Sequence, residues 1–211
     1  RDDHRDAVDV EPVGGDAGII SGKAPYLDAE GPSYLGEDAK YVFMSFKDKT
    51  ETGVDIGLQV RPPTSGKGIR DELAFFPAMG GGGADLEEDS AMALLYGSRM
   101  IEVAPDTKNR IFVVVTDEKA HKTISVSGAS DQVGVSLGSA ISVEKVVAEL
   151  KKKKFSVYAI VMPYGITTTD SGPPRSEMDI TSRSVYDFWK VLLGEDHIAY
   201  MPIADRILDV L

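Results

Sequence analysis

Carboxylate side chains occur at two points of the sequence where they could bind a divalent cation. At the first point, four glycines (80–83) are followed by four carboxylates, Asp85, Glu87, Glu88 and Asp89. At the second point, Asp117 follows the β-branched run RIFVVVT (110–116). A Gly-rich loop before a helix usually binds phosphate, but this many carboxylates would repel an anion. Ligands that are all oxygen favour Mg²⁺, Ca²⁺ or Mn²⁺ instead.

Both points also have an explanation that involves no ligand. The helix dipole alone favours acidic side chains in a first turn, and Asp117 could simply cap the turn after its strand. His121 could be a third ligand or a base, but its charged neighbours are typical of an exposed loop. A shared cation site is favoured if the two points lie together in the fold. The glycines would allow this, because they permit a tight turn that carries Asp85 and Glu88 towards Asp117.

Apolar runs alternate with helical patterns from Lys40 onward. Short runs rich in β-branched and aromatic residues predict strands at 40–46, 54–61, 110–116, 155–163 and 197–202. Apolar residues at helical spacing predict helices at 69–76, 88–103, 142–154, 182–194 and 203–211. Ser142 is expected to cap the third helix, and the lysines 151–154 at its end are interpreted as a solvated helix terminus. The stretch 121–140, made of small residues, is expected to be a loop or a hairpin.

This alternation predicts an α/β domain of three layers. Parallel strands need right-handed crossovers, so helices are expected on both faces of a mainly parallel central sheet. RIFVVVT is expected to be the central strand, because a continuous β-branched run is typical of a strand buried on both faces. The first two strands are expected to form an antiparallel pair at an edge. Ligands of such sheets bind at the carboxyl ends of the strands, where Asp117 lies.

Residues 1–39 differ from the rest of the chain. They are rich in Gly, Pro and Asp and show no period of 2 or 3.6, which predicts an extended arm ahead of the α/β domain (40–211). Because the sequence begins with Arg1 rather than Met, we expect a fragment or a processed form, from which an export signal could have been removed. No apolar run approaches the roughly 20 residues that cross a bilayer.

Two motifs resemble the von Willebrand factor A (VWA) domain, in particular its hemicentin-like branch. GGGADLEEDSAMAL resembles that family's GGGD-x-P-E loop and helix, although Ala84 interrupts the Gly–Asp junction and Glu87 replaces the proline. RIFVVVTDEKAH resembles the family's apolar strand that ends in TD-x-x-x-H. YVFMSFKD is similar to its second strand, and the segments after residue 142 are similar to its later helices and strands. The resemblance covers about residues 40–211.

The resemblance implies an adhesion module with a metal-ion-dependent adhesion site. It places Asp85, Glu88 and Asp117 at acidic metal positions, with Mg²⁺ or Ca²⁺ as the ion and an acidic residue of a partner protein completing the coordination. The family's first strand ends in Asp-x-Ser-x-Ser and supplies most of this site, but residues 1–40 contain no such motif. TISVS (123–127) has the serine spacing with Thr in place of Asp. We therefore expect a partial or degenerate site with weak or no metal binding.

The composition and charge of the chain disfavour several classes of partner and of chemistry. A net charge of −11 disfavours nucleic acid and anionic membranes as partners. The absence of cysteine removes disulfides and thiolate chemistry, and no Gly-x-Ser-x-Gly motif indicates a hydrolase elbow. The leading prediction is a non-enzymatic protein-binding or adhesion module, extracellular or at the cell surface. The alternatives are a metal-free assembly subunit whose arm docks on a neighbour, and a hydrolase that uses metal-bound water.

Overall fold

The computed structural model describes residues 39–46, 57–64, 68, 72, 87–163 and 178–201. The strands are β1 (Met44–Ser45), β2 (Gln59–Val60), β3 (Glu87–Glu88), β4 (Ile111–Thr116), β5 (Lys119–Ala120), β6 (Thr123–Ile124), β7 (Ile141–Ser142), β8 (Ser156–Val161) and β9 (Ile198–Tyr200). The helices are α1 (Ser90–Arg99), α2 (Val126–Gly128), α3 (Val143–Lys152) and α4 (Ile180–Leu193), with a π-helical turn at Ala129–Val133 and a 3₁₀ turn at Glu195–His197. Strands and helices alternate, which confirms the predicted α/β class.

The main sheet is parallel and has the order β4-β8-β9. Its longest pairing joins β4 to β8 in six positions, from Ile111 opposite Ser156 to Thr116 opposite Val161. Among the described strands it is β8, rather than the expected β4, that has a partner on each side. Both strands are rich in β-branched residues and have the same burial pattern, so their sequences alone do not show which of the two is central.

The two faces of this sheet carry different amounts of apolar packing. On one face, Phe112 and Val114 of β4 lie beside Val157 and Ala159 of β8, in a large core that also includes the buried sides of α1, α3 and α4. The other face carries a smaller cluster of Val115, Ile160 and Met201. Within the described residues, the long helices therefore pack on one face of the sheet.

Helix α1 is buried on almost all sides, since eight of its ten residues are buried. It approaches β4 closely because residue 97 is a glycine. A Cβ atom placed there would lie 2.3 Å from Cε2 of Phe112, well inside contact distance. Gly97 thus sets how closely the helix packs on the sheet.

Local signals mark the ends of helices α3 and α4, and the predicted Ser142 cap of α3 is confirmed. The Ser142 hydroxyl accepts a hydrogen bond from the Lys145 N–H at 3.4 Å, and α3 buries one apolar stripe. The Asp179 carboxylate accepts one from the Ser182 N–H at 2.7 Å. Helix α4 ends at Gly194, whose φ of 104° lies in the region that favours glycine. The predicted amphipathic helices at 142–154 and 182–194 are confirmed.

The shorter strands form three further two-stranded pairs. β1 and β2 are antiparallel, as predicted, and the backbones of Tyr41 and Thr64 extend this ladder with two hydrogen bonds of 2.8 Å. β6 and β7 are also antiparallel and enclose α2 and the π-helical turn, so the stretch 121–140 is a hairpin with helical content. The predicted helix at 203–211, nearly all of the arm and most of the predicted helix at 69–76 lie outside the described residues.

Candidate functional site

The candidate site lies where the chain leaves the carboxyl end of β4. Asp117 follows this strand directly, and β5 begins two residues later. β3 pairs with β5 in parallel, with Glu87 opposite Lys119 and Glu88 opposite Ala120. The fold therefore brings the segment 87–88 beside the segment that follows Asp117.

The three predicted metal ligands have different surroundings. Glu88 is buried within β3, with 1% of its surface exposed, whereas Asp117 is partly exposed after β4. Asp85 and the four glycines before it lie outside the described residues. In the part of the chain that the structure describes, no group of three or more His, Asp or Glu side chains is arranged to hold a metal ion.

His121 occupies the space between two carboxylates. Its Nδ1 lies 3.2 Å from Oε2 of Glu87, and its Nε2 lies 3.8 Å from Oδ1 of Asp89. Its backbone N–H also donates to the carbonyl of Glu88 at 3.2 Å. His121 follows β5 in a loop, as expected, but its side chain is only 28% exposed and contacts both carboxylates. The pairing of β5 with β3 places His121 beside Glu87 and Asp89. The polar residues around His121 in the sequence do not indicate this pairing.

Gln132 completes this group from the π-helical turn. Its Nε2 donates to Oδ2 of Asp89 at 2.8 Å, and its Oε1 accepts from the Leu58 N–H at 3.3 Å. A Cβ at residue 57 would lie 2.2 Å from Oε1 of Gln132, so Gly57 leaves room for this amide. We call Glu87, Asp89, His121 and Gln132 the acidic network. It joins β3, β5, the π-helical turn and the segment before β2.

Hydrogen bonds from buried side chains hold the turn that bears Asp117. The indole Nε1 of Trp189 donates to the carbonyl of Glu118 at 3.0 Å, and Trp189 is fully buried in α4. The Thr116 hydroxyl also donates to that carbonyl and accepts from the Glu118 N–H, both at 3.1 Å. Trp189 therefore packs in the core and also holds the backbone beside Asp117.

In this arrangement, side chains of the protein hold the carboxylates of Glu87 and Asp89. Both carboxylate oxygens of Asp89 face the nitrogens of Gln132 and His121, and Glu87 faces His121. These side chains therefore have partners within the protein that take the place of an ion.

Comparison with known proteins shows the fold but no family. No protein-family model and no curated protein matches the chain. Two crystal structures of the pilus adhesin SpaC from Lactobacillus rhamnosus GG, one of them in an open conformation, are similar, with TM-scores of 0.52 and 0.53 and 12% sequence identity. The match covers 88% of this chain but only 25% of the adhesin. The likeness supports the α/β fold, and this chain spans about a quarter of the adhesin's length.

The described helices do not include a membrane-spanning candidate. None of them is both long enough and apolar enough to cross a bilayer.

Proposed function

We propose that the chain is a non-enzymatic protein-binding module of the adhesion type that binds its partner at the carboxyl end of the sheet. The observation that carries this proposal is the convergence of Glu87, Glu88 and Asp89 on the segment that follows Asp117. The fixed backbone, together with the partly exposed carboxylates of Glu87 and Asp117, provides a preorganised surface for another protein. The VWA resemblance and the fold shared with part of a pilus adhesin support the adhesion role and a cell-surface location.

A charge reversal on this surface tests the proposal. The purified chain is screened against an array of extracellular proteins, and the affinity for each ligand found is measured by surface plasmon resonance. Glu87→Lys and Asp117→Lys should each weaken binding by about tenfold or more, as expected when a charged contact is reversed at an interface. Asp187→Lys, on the exposed side of α4, is the matched control and should leave affinity unchanged. Equal losses in all three variants, or no ligand in the array, would contradict a binding surface at this end of the sheet.

The finer proposal concerns the cation. A partial adhesion site would use Asp117, Glu88 and Asp85, with a partner's carboxylate supplying the ligand that this chain lacks. We propose that the chain alone binds Mg²⁺ and Ca²⁺ weakly or not at all, because residues 1–40 contain no Asp-x-Ser-x-Ser motif to supply the remaining ligands. An ion with a Kd of about 1 mM, present at about 10 mM, would raise the unfolding free energy by about 1.4 kcal/mol. Thermal melts with each ion and with a chelator should differ by less than this amount.

The metal-free assembly subunit is the second candidate. The contacts of Gln132 and His121 with Asp89 favour it, because they stabilise the cluster without an ion. Partner binding that persists unchanged in excess chelator would support a metal-free mode of recognition. Binding that is lost in chelator and restored by Mg²⁺ would support the cation-dependent mode. Turnover of an ester or glycoside that disappears in Asp117→Ala would instead support the hydrolase.

A further inference from the structure

A strongly basic surface lies at the opposite end of the sheet from the acidic network. Helix α3 ends in four consecutive lysines, 151–154, all of them exposed, and β8 begins at residue 156. Arg110, the residue before β4, adjoins them. We call Lys151, Lys152, Lys153, Lys154 and Arg110 the lysine patch. Five positive charges in one place are notable in a chain whose net charge is −11.

Hydrogen bonds hold the patch in a defined shape. Arg110 donates from Nη1 to the carbonyl of Lys153 at 2.8 Å and from Nη2 to that of Ala104 at 3.3 Å. Lys151 donates from Nζ to the carbonyl of Leu193 at 3.4 Å. The guanidinium thus joins the start of β4 to the end of α3. The backbone of the patch is ordered by these contacts, while the other lysine side chains project into solvent.

Lys154 adopts a backbone conformation that glycine normally occupies. Its φ is 65°, and it is the one non-glycine residue with positive φ in the described part of the chain. The N–H of Lys154 donates to the carbonyl of Lys151 at 2.9 Å, and that of Phe155 donates to Leu150 at 3.0 Å. These two bonds form a Schellman motif, whose left-handed position is usually glycine. A lysine here adds charge at the expense of backbone strain, and such outliers often mark functional surfaces.

The helix dipole does not account for the whole patch. It favours Lys151 and Lys152 in the last turn, but its effect falls off within that turn, and Lys154 lies beyond it. Nearby Glu149 is already bound by Arg99, at 2.6 and 2.7 Å. Within the described residues, no carboxylate forms an ion pair with any of the four lysines. Glu102 and Asp106, in the segment that leads to Arg110, are exposed.

We propose that the lysine patch binds the acidic arm, residues 1–39, of the same chain. The arm contains ten acidic and three basic side chains, so its charge is opposite in sign to the patch and similar in size. At about 3.3 Å per residue it could extend over about 130 Å, enough to reach any surface of a domain this size. A segment tethered in this way has an effective concentration in the millimolar range, which favours the chain's own arm over a second copy in dilute solution. This inference does not depend on the function of the carboxyl-end surface.

A spin label on the arm tests this contact in the full chain. The chain contains no cysteine, so Ala7→Cys gives a single attachment site among the acidic residues of the arm. The ¹⁵N-labelled chain should show a loss of amide intensity at residues 151–155, relative to the reduced label, that exceeds the loss around Lys145 on the same helix. Raising the ionic strength from about 0.01 M to about 1 M shortens the Debye length from about 30 Å to about 3 Å and should restore the signals.

Two controls make the outcome decisive. Lys152→Gln with Lys153→Gln should remove most of the broadening, whereas Lys122→Gln with Lys145→Gln removes the same charge elsewhere and should retain it. In a mixture of spin-labelled ¹⁴N chain and unlabelled ¹⁵N chain, the signals should remain sharp. Broadening in that mixture would assign the arm to a second copy and overturn the proposal. Patch amides broadened no more than those near Lys145 would also overturn it.

Discussion

Replacing Gly97 with alanine should destabilise the protein although alanine is the better helix former. The gain in helix propensity is about 0.8–1 kcal/mol. Against it, the new methyl group would lie 2.3 Å from Cε2 and 2.9 Å from Cδ2 of Phe112. That ring is 6% exposed, rigid and enclosed by the core, so it cannot move aside without displacing α1 or β4. Overpacking of this kind costs about 1–3 kcal/mol, and so severe an overlap belongs in the upper part of that range. We expect a net loss of about 1–2 kcal/mol.

Urea unfolding followed by the fluorescence of the single tryptophan, Trp189, measures this difference. With an m-value of about 2 kcal/mol/M, the midpoint should fall by about 0.5–1 M. Gly138→Ala is the matched control, because a Cβ there meets no atom within 4 Å, and its midpoint should change little. In a Phe112→Leu background, Gly97→Ala should cost less, because the smaller side chain leaves room. A Gly97→Ala protein as stable as the wild type would refute the close packing of α1 on β4.

Three further substitutions probe the core, a helix end and a helix start. Trp189→Phe removes the hydrogen bond to the Glu118 carbonyl and part of a fully buried side chain, so thermal unfolding followed by circular dichroism should show a loss of about 2–4 kcal/mol. Lys154→Gly relieves the positive φ and should raise the unfolding free energy in urea by about 0.5–1 kcal/mol, whereas an unchanged value would mean that no strain is stored there. The pKa of the Glu144 carboxyl lies below 4.5, because its own backbone and Ser142 form hydrogen bonds with it. The ionised carboxylate therefore stabilises the fold above the unfolded-state pKa, and this stabilisation is lost as pH falls through the folded-state pKa. Glu144→Gln should flatten the acid side of the stability profile, and NMR titration of the wild-type carboxyl should show the lowered pKa directly.

The sequence predicts those parts of the fold that depend on local signals. The apolar runs of β4 and β8 and the stripe of α3 appear directly in the periodicity of the chain. Ser142 and Gly194 mark helix ends because capping chemistry involves residues only a few positions apart. The order of the strands is different, because it depends on which run contacts which. β4 and β8 satisfy the same pattern, so the sequence does not show that β8 has strands on both sides.

The candidate site is less predictable because its contacts are distant in sequence. The pairing of β3 with β5 brings Glu87 to His121, 34 positions away, and Gln132 reaches Asp89 from 43 positions away. No local motif indicates that Gln132 should face a carboxylate. Only Gly57 offers a hint, since a glycine before a strand can mark a close approach, and here the approaching group is the Gln132 amide. The carboxylates themselves are visible in the sequence, but the side chains that satisfy them are not.

The way in which the acidic network relieves its own charge leads to the final prediction. Neighbouring carboxylates repel one another, so a cluster of them is stabilised by a cation, by protonation or by side chains that hydrogen-bond to it. His121 lies between Glu87 and Asp89, and the Gln132 amide donates to Asp89, which is 6% exposed. We therefore expect the wild-type melting temperature to be nearly insensitive to Mg²⁺ and Ca²⁺.

His121→Ala removes the ring from between the two carboxylates and should create the need for an ion that the wild type lacks. We expect this variant to melt at a lower temperature in chelator and to recover part of the loss when Mg²⁺ or Ca²⁺ is added. Adding Glu87→Gln to His121→Ala removes one of the two charges, so it should restore stability in chelator and abolish the response to ions. Lys122→Ala, at the next position, controls for a general change in surface charge. If His121→Ala melts like the wild type with or without ions, the contacts of the imidazole do not stabilise the two carboxylates, and other groups hold them.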